Sequence, residues 1–300
     1  MGGPNEVLLG GCASAAAVAA CDAAVAEVER IESKYSRYRT DSALSHLNAA
    51  AGQGWVSVDE ETRQLLDYAD ACYRASSGLF DITSGVLRRA WDFSGRQGPP
   101  CLPDPSLLAQ LVRRVGWERV ERRGERVRLA RETELDLGGI AKEYAVDRVC
   151  ALLWSLGVRH ALVNLGGDTR VFGGQPTPSG QTAPWRIGVA HPRNEGAVLG
   201  TVALTDGAVA SSGDYERYVE IEGRRFCHVL NPRTGMSVSY WQSVTVVAPV
   251  CVSAGSASTI AMLLEAHAGA FLQEQAQSFL AVSAQSTLRG GLFDPPQLDS

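Results

Sequence analysis

Apolar residues recur at helical spacing in several long segments of the chain. Residues 13–36 are rich in alanine and place Val18, Val25 and Ile31 on one face, which predicts an amphipathic helix packed through that face. Four further helices are predicted, over residues 42–48, over 59–76 with Asp59 as the N-cap, over 138–155 and over 254–265.

Short runs that alternate apolar and polar residues predict strands joined by hairpins. Residues 218–222 alternate regularly, Glu222-Gly223 suits a turn, and residues 225–230 form the returning strand. Residues 231–235, Asn-Pro-Arg-Thr-Gly, predict a tight turn after it. Other strands are predicted over residues 6–11, 117–120, 127–129, 161–164, 185–189, 198–204 and 243–248.

The order of these elements favours one fold class. Strands do not alternate regularly with helices, so a doubly wound parallel sheet is not expected. We predict an α+β fold, a single compact domain of mixed, largely antiparallel sheets with packed helices, over residues 1–287. Residues 288–300 are expected to form a weakly ordered tail, and the glycines and prolines of residues 95–105 predict a surface loop.

Composition excludes several classes of protein. The chain has 300 residues, of which 45% are hydrophobic and 20% charged, with a net charge of −5, as in an ordinary globular protein. No basic stripe indicates nucleic-acid binding. Apolar stretches such as residues 243–254 are too short to span a bilayer, so no transmembrane segment is expected.

The seven cysteines include no Cys-x-x-Cys pair and fall in apolar surroundings, which favours buried thiols in a reducing compartment. Leu9-Gly10-Gly11-Cys12 resembles a lipoprotein cleavage box, but residues 1–8 supply neither the basic region nor the apolar core of a signal. We therefore expect a cytoplasmic protein as the sequence stands, and a periplasmic or cell-envelope protein if a signal precedes Met1.

Two glycine-rich junctions carry residues suited to holding phosphate. From Asp136 to Lys142, a strand end, two glycines and a helix start offer backbone N–H groups and one cation to an anion. Asn164 to Asp168, Asn-Leu-Gly-Gly-Asp, follows a strand and suits a turn lined by ligand. Taken singly, the first is equally consistent with a plain junction bearing a solvent-exposed lysine, and the second with a simple tight turn.

His228 is the candidate base, because Arg225, Asn231 and Arg233 are close to it in sequence. Cations lower the pKa of a histidine and keep it neutral, able to accept a proton at pH 7. A strand histidine without such neighbours is usually structural. Gly255 and Thr259 lie one turn apart on the last predicted helix, where capping and packing also explain small hydroxyl residues.

Together these segments resemble the FAD:protein FMN transferase family, the ApbE flavin transferases. The matching segments occur in family order and are Met1-Gly2-Gly3 and residues 35–38, 41–48, 78–83, 136–147, 164–168, 212–218, 228–235 and 243–259. The resemblance implies that a threonine hydroxyl of a partner flavoprotein attacks the pyrophosphate of bound FAD. FMN becomes attached to the threonine through a phosphoester, and AMP leaves.

The resemblance also implies roles for individual residues. His228 would take the threonine proton, Lys142 and Arg233 would neutralise the phosphates, and Tyr38 would offer an aromatic face to the flavin or the adenine. The implied FAD-binding residues are Met1, Tyr38, Ser42, Asp81, Gly138, Gly139, Lys142, Asp147, Gly166, Gly167, Asp168, Ser212, Gly213, Asp214, Arg217, His228, Arg233 and Thr234.

Three positions depart from the family pattern, and two concern Mg²⁺. The family usually has a magnesium-binding aspartate where this chain has Gly255, and a glycine where it has Glu143. We hypothesise that Glu143 replaces the missing carboxylate, so that Thr259, Gly139 and Glu143 form the metal site. The third departure, Asn231 in place of aspartate, keeps the turn and removes one charge.

The loss of the family aspartate leaves two alternatives to the transferase. The chain could be a non-catalytic accessory protein that binds FAD or donates flavin. It could also be an FAD pyrophosphatase, which uses water as the acceptor and releases FMN and AMP.

Overall fold

The computed structural model describes residues 3–93, 99–275, 278–291 and 293. Met1 and residues 95–98 of the predicted loop lie outside these ranges. The helices are α1 (Ser14–Tyr35), α2 (Ala43–Ala49), α3 (Glu60–Ala75), α4 (Pro105–Val112), α5 (Ala141–Ser155), α6 (Cys251–Leu264) and α7 (Ala268–Gln275), with 3₁₀ helices at Ile82–Arg89, Trp117–Arg119 and Glu265–His267. The strands are β1 (Asn5–Gly10), β2 (Val56–Ser57), β3 (Glu121–Arg123), β4 (Arg126–Arg128), β5 (His160–Leu165), β6 (Asp168–Phe172), β7 (Gln175–Pro176), β8 (Thr182–Ala183), β9 (Trp185–Ala190), β10 (Val198–Leu204), β11 (Gly207–Gly213), β12 (Tyr218–Ile221), β13 (Arg224–Cys227), β14 (Trp241–Ala248), β15 (Ser278–Ser283) and β16 (Thr287–Gly290).

The centre of the molecule is a seven-stranded sheet in the order β1-β5-β6-β11-β14-β15-β16, and every neighbouring pair is antiparallel. Strand β14 is buried on both faces. Val244 and Val246 belong to the main core, whereas Val247 belongs to a second cluster with Trp185 of β9. Apolar residues are therefore required at successive positions of this strand. The predicted α+β fold with largely antiparallel sheets is confirmed.

Helices α5 and α6 pack on the sheet, and α1 packs on α5. The buried face of α1 differs from the predicted one: Ala20, Ala24 and Ile31 are buried, whereas Val18 and Val25 are 62% and 55% exposed. The contact is made through small side chains, which allow α1 to lie close to its neighbour. Within the described ranges, no helix is long and apolar enough to cross a membrane.

Local signals located several elements correctly. Asp59 and Ser42 are the N-caps of α3 and α2, and each side chain accepts a hydrogen bond from a backbone N–H of the first turn. Glu222 and Gly223, with φ of 50° and 73°, form the turn between β12 and β13. Strand β13 ends at Cys227, so His228 is the first residue after it.

Two predicted segments differ from the structure. Trp117–Arg119 forms a 3₁₀ turn rather than a strand, because the backbone N–H of Trp117 donates to Oδ2 of Asp81 at 3.0 Å. Residues 288–290, expected to begin a weakly ordered tail, belong to β16, which pairs with β15 and packs Leu288 against the core. Residues 292 and 294–300 lie outside the described ranges.

Candidate active site

A cavity of about 180 Å³, here called the inner cavity, lies between α5, α6, the end of β11 and the segment that follows β13. The structure brings many of the predicted site residues to its wall. These are Asp81, Gly138, Gly139, Lys142, Glu143, Ser212, Gly213, His228 and Thr259.

Lys142 is a half-buried cation on the wall of the inner cavity. Its Nζ lies 2.6 Å from Oδ2 of Asp168 and donates to the carbonyl of Gly166 at 3.4 Å. Burial alone would lower the pKa of Lys142, but the ion pair with Asp168 more than offsets this, so its pKa is raised. Gly166 and Gly167 form the predicted turn with positive φ, at 58° and 95°. Lys142 therefore carries a fixed positive charge where a phosphate can reach it.

Glu143 follows Lys142 and points into the protein. Its side chain is buried, and Oε2 has no hydrogen-bond partner among the described residues. Burial, followed by the nearby carboxylate of Asp168, raises the pKa of Glu143. A Cβ atom at Gly255 would lie 2.5 Å from Cγ of Glu143 and 2.9 Å from its Oε1. The carboxylate thus occupies the space beside α6 that a side chain at residue 255 would need.

His228 is held as a neutral base. Its Nδ1 lies 3.3 Å from the carbonyl oxygen of Arg217, and since a carbonyl only accepts, the proton is assigned to Nδ1. Nε2 is then free to accept a proton. Burial lowers the pKa of His228 to about 4, and the positive charges of Arg88 and Arg217 contribute in the same direction. The pKa shift has the expected direction, but its main cause is burial, and the contributing cations are Arg88 and Arg217 rather than Arg225 and Arg233.

A second cavity of about 270 Å³, here called the outer cavity, shares His228 and Arg88 with the inner one. Its remaining lining residues are arginines and aromatics, namely Arg37, Tyr38, Arg89, Trp91, Phe93 and Arg217. Tyr38 is 82% exposed. The rings of Trp91 and Phe93 stack at 5.5 Å with an interplanar angle of 8°. The outer cavity therefore offers flat apolar surfaces beside cations.

Asp136, Arg88 and Glu216 line the inner cavity but were not among the predicted site residues. Oδ2 of Asp136 lies 2.6 Å from Arg37 and 3.2 Å from Arg88, and Oδ1 accepts from the N–H of Gly138. Burial would raise the pKa of Asp136, but the two arginines lower it. Asp136 and Glu216 stand inside the recognised motifs, whereas nothing in the sequence around Arg88 signalled its position.

Two predicted FAD-binding acids serve the scaffold. Asp147 accepts from the N–H groups of Cys251 and Val252 at 2.9 Å, which caps α6, and it pairs with Arg170 at 2.7 Å. Asp214 binds both guanidinium nitrogens of Arg193, at 2.7 and 2.6 Å. Neither lines the two cavities, because these contacts direct both carboxylates elsewhere. Their nucleotide contacts stay predictions.

Three other predicted residues also lie outside the inner cavity. Ser42 is the buried N-cap of α2, and Oγ1 of Thr234 accepts from the N–H of Met236. Arg233 donates to the carbonyl of Ser77 at 2.5 Å and lines a larger cavity of about 700 Å³. That cavity has only one of the predicted catalytic residues, so its size does not make it the reaction site. The roles of these three residues in FAD binding remain predictions.

Metal ligands are sparse. Across the described ranges, no group of three or more His, Cys, Asp or Glu side chains lies close enough to hold a metal ion. A cation in the inner cavity would therefore depend on hydroxyl and carbonyl oxygens as well as on carboxylates. Thr259 supplies a hydroxyl, which lies 3.0 Å from that of Ser212.

Comparison with known proteins gives consistent matches. The chain matches the family model described as the ApbE family over residues 1–282. A Haemophilus influenzae relative named FAD:protein FMN transferase is 30% identical over 238 residues, which cover 76% of this chain and 68% of the relative. A Treponema pallidum relative of the same name is 31% identical over 251 residues, covering 79% and 69%. The crystal structure of the ApbE protein from Thermotoga maritima has a TM-score of 0.83 at 32% identity, and covers 91% of this chain and 89% of that one.

Proposed function

The chain belongs to the ApbE family, and from this premise we propose that it is an FAD:protein FMN transferase. FAD is the donor, a threonine hydroxyl of a target flavoprotein is the acceptor, and AMP is released. The observation that carries the proposal is the neutral His228, which lies on the wall shared by the inner and outer cavities.

The groups around His228 suit phosphoryl-type transfer, which depends on positioning and charge neutralisation. The acceptor Oγ attacks the phosphorus on the FMN side, and its proton passes to Nε2 of His228. The Oγ–P bond forms as the P–O bond to AMP breaks, and AMP leaves with that oxygen. Lys142 and Arg88 line the same cavity and oppose the phosphate charges.

The remaining groups support the binding of FAD. Gly138 and Gly139 lead into α5 and line the inner cavity, so no side chain at these two positions obstructs the approach of a phosphate. Tyr38, exposed at the outer cavity, supplies a face for the isoalloxazine ring, which is flat and uncharged. In this arrangement the pyrophosphate spans the junction of the two cavities at His228.

One assay tests the activity and its alternatives. The purified protein is incubated with FAD, Mg²⁺ and a flavoprotein domain bearing an acceptor threonine, and the domain is examined for covalent flavin fluorescence in a denaturing gel. We expect labelling of the domain and one AMP per label. Free FMN and AMP without labelling would indicate a pyrophosphatase, and intact FAD would indicate a protein that only binds it.

We further propose that the inner cavity holds Mg²⁺ through Glu143 and Thr259, with the backbone carbonyl of Gly139 as a third ligand. The donor set is oxygen, as Mg²⁺ prefers, and the buried Oε2 of Glu143 is an acceptor that has no partner in the described part of the chain. Bound Mg²⁺ would neutralise charge on the pyrophosphate and its leaving group. Glu143 fills the space left by Gly255 and thus supplies a carboxylate from α5 rather than from α6.

Metal binding is tested without catalysis, by titrating Mn²⁺ and following its electron paramagnetic resonance signal. Glu143→Ala should weaken Mn²⁺ binding by at least about tenfold, while Glu195→Ala, which removes an exposed acid elsewhere, should leave it unchanged. The exchange Glu143→Gly with Gly255→Asp should restore binding. Unchanged Mn²⁺ affinity in Glu143→Ala would show that Glu143 is not a metal ligand.

A further inference from the structure

The outer cavity has more cations than the surrounding acids neutralise. Arg37 and Arg88 pair with Asp136, and Arg37 and Arg89 pair with Glu134. Arg217 is exposed, and no carboxylate within the described ranges lies within 4 Å of its guanidinium. Four arginines thus face two carboxylates, which leaves the cavity with a surplus of positive charge.

In the proposed reaction the bound donor offsets part of this charge, at Arg88. The isoalloxazine ring is uncharged, and the two negative charges of the FAD pyrophosphate fall at the junction with the inner cavity, near Arg88 and Lys142. Arg89 also lines the outer cavity, with 57% of its side chain exposed, and Arg217 is exposed as well. These two exposed cations line the same cavity as His228.

We propose that Arg89 and Arg217 form a docking rim for an acidic segment of the acceptor flavoprotein, which carries the acceptor threonine to His228. The proposal rests on the transferase function proposed above and identifies the chemistry of its second substrate. Charge complementarity favours this occupant, since exposed guanidinium groups steer and orient carboxylates. The rim is continuous with the reaction site, because Arg217 also fixes His228 through its backbone carbonyl.

The test measures binding separately from transfer. FAD-loaded protein is titrated into two fluorescein-labelled peptides, each with one threonine, flanked in one by aspartates and in the other by asparagines. Fluorescence anisotropy should show at least about tenfold tighter binding of the acidic peptide, and this preference should decrease as salt is raised. Equal affinity for the two peptides, or binding of neither, would overturn the proposal.

Arg217→Glu should remove the preference, and Arg89→Gln, a milder change that does not add charge beside Glu134, should reduce it several-fold. Arg126→Glu is the matched control, because Arg126 is an exposed arginine on β4 outside both cavities and should leave the preference intact. The Kd for FAD, followed by flavin fluorescence, should stay the same in Arg89→Gln, because Arg89 is not among the implied FAD-binding residues. A parallel loss of FAD affinity in this variant would overturn the docking role and assign Arg89 to the cofactor instead.

Transfer to an acceptor domain distinguishes failure of the rim from failure of the proposed function. If the wild-type protein labels no acceptor while the acidic peptide still binds as expected, the transferase function fails and the charge preference stands. If the wild type labels the acceptor and Arg217→Glu leaves its KM unchanged, the docking rim is wrong and the transferase stands. We expect labelling with a raised acceptor KM in both variants and, for Arg89→Gln, little change in kcat at saturating acceptor.

Discussion

The inner and outer cavities meet at His228 and Arg88, yet they hold their charges in opposite ways. In the inner cavity Lys142 and Asp168 form a close ion pair, and Glu143 is fully enclosed. In the outer cavity Arg89 and Arg217 are exposed, and no carboxylate among the described residues pairs with Arg217. The comparison shows that the groups of the inner cavity are held by packing so close that one added Cβ atom would disturb them. Recognition at the outer cavity depends instead on the total exposed charge.

This difference follows from solvation. A buried charge that loses its partner keeps a large desolvation cost, so the inner cavity tolerates few substitutions. An exposed arginine is screened by water and ions, so its removal changes recognition more than stability. Substitutions that separate these two behaviours test the assignment of each cavity.

The largest effect is expected at His228, where the two regions meet. His228→Ala removes the acceptor for the threonine proton and should lower kcat for transfer by about 10²- to 10⁴-fold. The Kd for FAD should change little, since Lys142, Arg88 and the glycines remain. Single-turnover labelling and flavin fluorescence measure the two quantities, and full activity in the variant would refute the role of base.

The next effect tests packing in the inner cavity. Gly255→Ala places a Cβ against Cγ of the buried Glu143 and should lower the free energy of unfolding by about 1–3 kcal/mol. Adding Glu143→Gly removes the obstacle and should recover most of that loss. Chemical denaturation of the two variants and the wild type checks this, and a double variant no more stable than Gly255→Ala would contradict the contact.

A smaller effect concerns pH. Because His228 acts in its neutral form and its pKa is lowered to about 4, acid should inactivate it only at low pH. At saturating Mg²⁺, protonation of His228 should not reduce kcat/KM as pH falls from 7 to about 5, and should halve it near pH 4. Circular dichroism at each pH checks that the fold persists. A half-maximum near 6.5 would show that burial does not perturb this histidine.

The smallest effect is expected at the exposed end of the outer cavity. Tyr38→Ala removes one stacking face, worth about 0.5–1.5 kcal/mol, and should raise the Kd for FAD by about twofold to tenfold. Tm should not change, because the ring is 82% exposed. Tyr38→Phe is the control and should bind FAD like the wild type. Equal affinity in all three proteins would remove Tyr38 from the flavin site.

Short motifs predicted much of the candidate site, because each carries its own local geometry. Gly138 and Gly139 before α5, and Lys142 in its first turn, belong to one sequence segment. His228 directly follows the second strand of its hairpin in the sequence. Arg88 could not be predicted this way, since its partner Asp136 is brought to it only by the fold. Likewise, Arg37 contacts Asp136 across 99 residues of sequence, a separation that no local pattern reports.

The same limit applies to an acid that could serve two purposes and to the strands that were not predicted. Asp147 matches a nucleotide-binding pattern, yet it caps α6, and the residue type suits both tasks equally. Strands β6 and β11 were not predicted because Asp168-Thr169-Arg170 and Ser211-Ser212-Gly213 contain residues typical of turns. Their backbone groups are paired by neighbouring strands, which outweighs that local preference.

The sequence by itself determined the fold class, the family and the chemical types available: a lysine at a helix start, a histidine after a hairpin and a threonine on α6. These depend on spacing within single segments. Only the tertiary structure decided that the buried carboxylate of Glu143 fills the space at Gly255 and that Arg217 keeps His228 in the tautomer of a base. Such contacts join distant segments, and their energy depends on burial and distance, which exist only once the chain has packed.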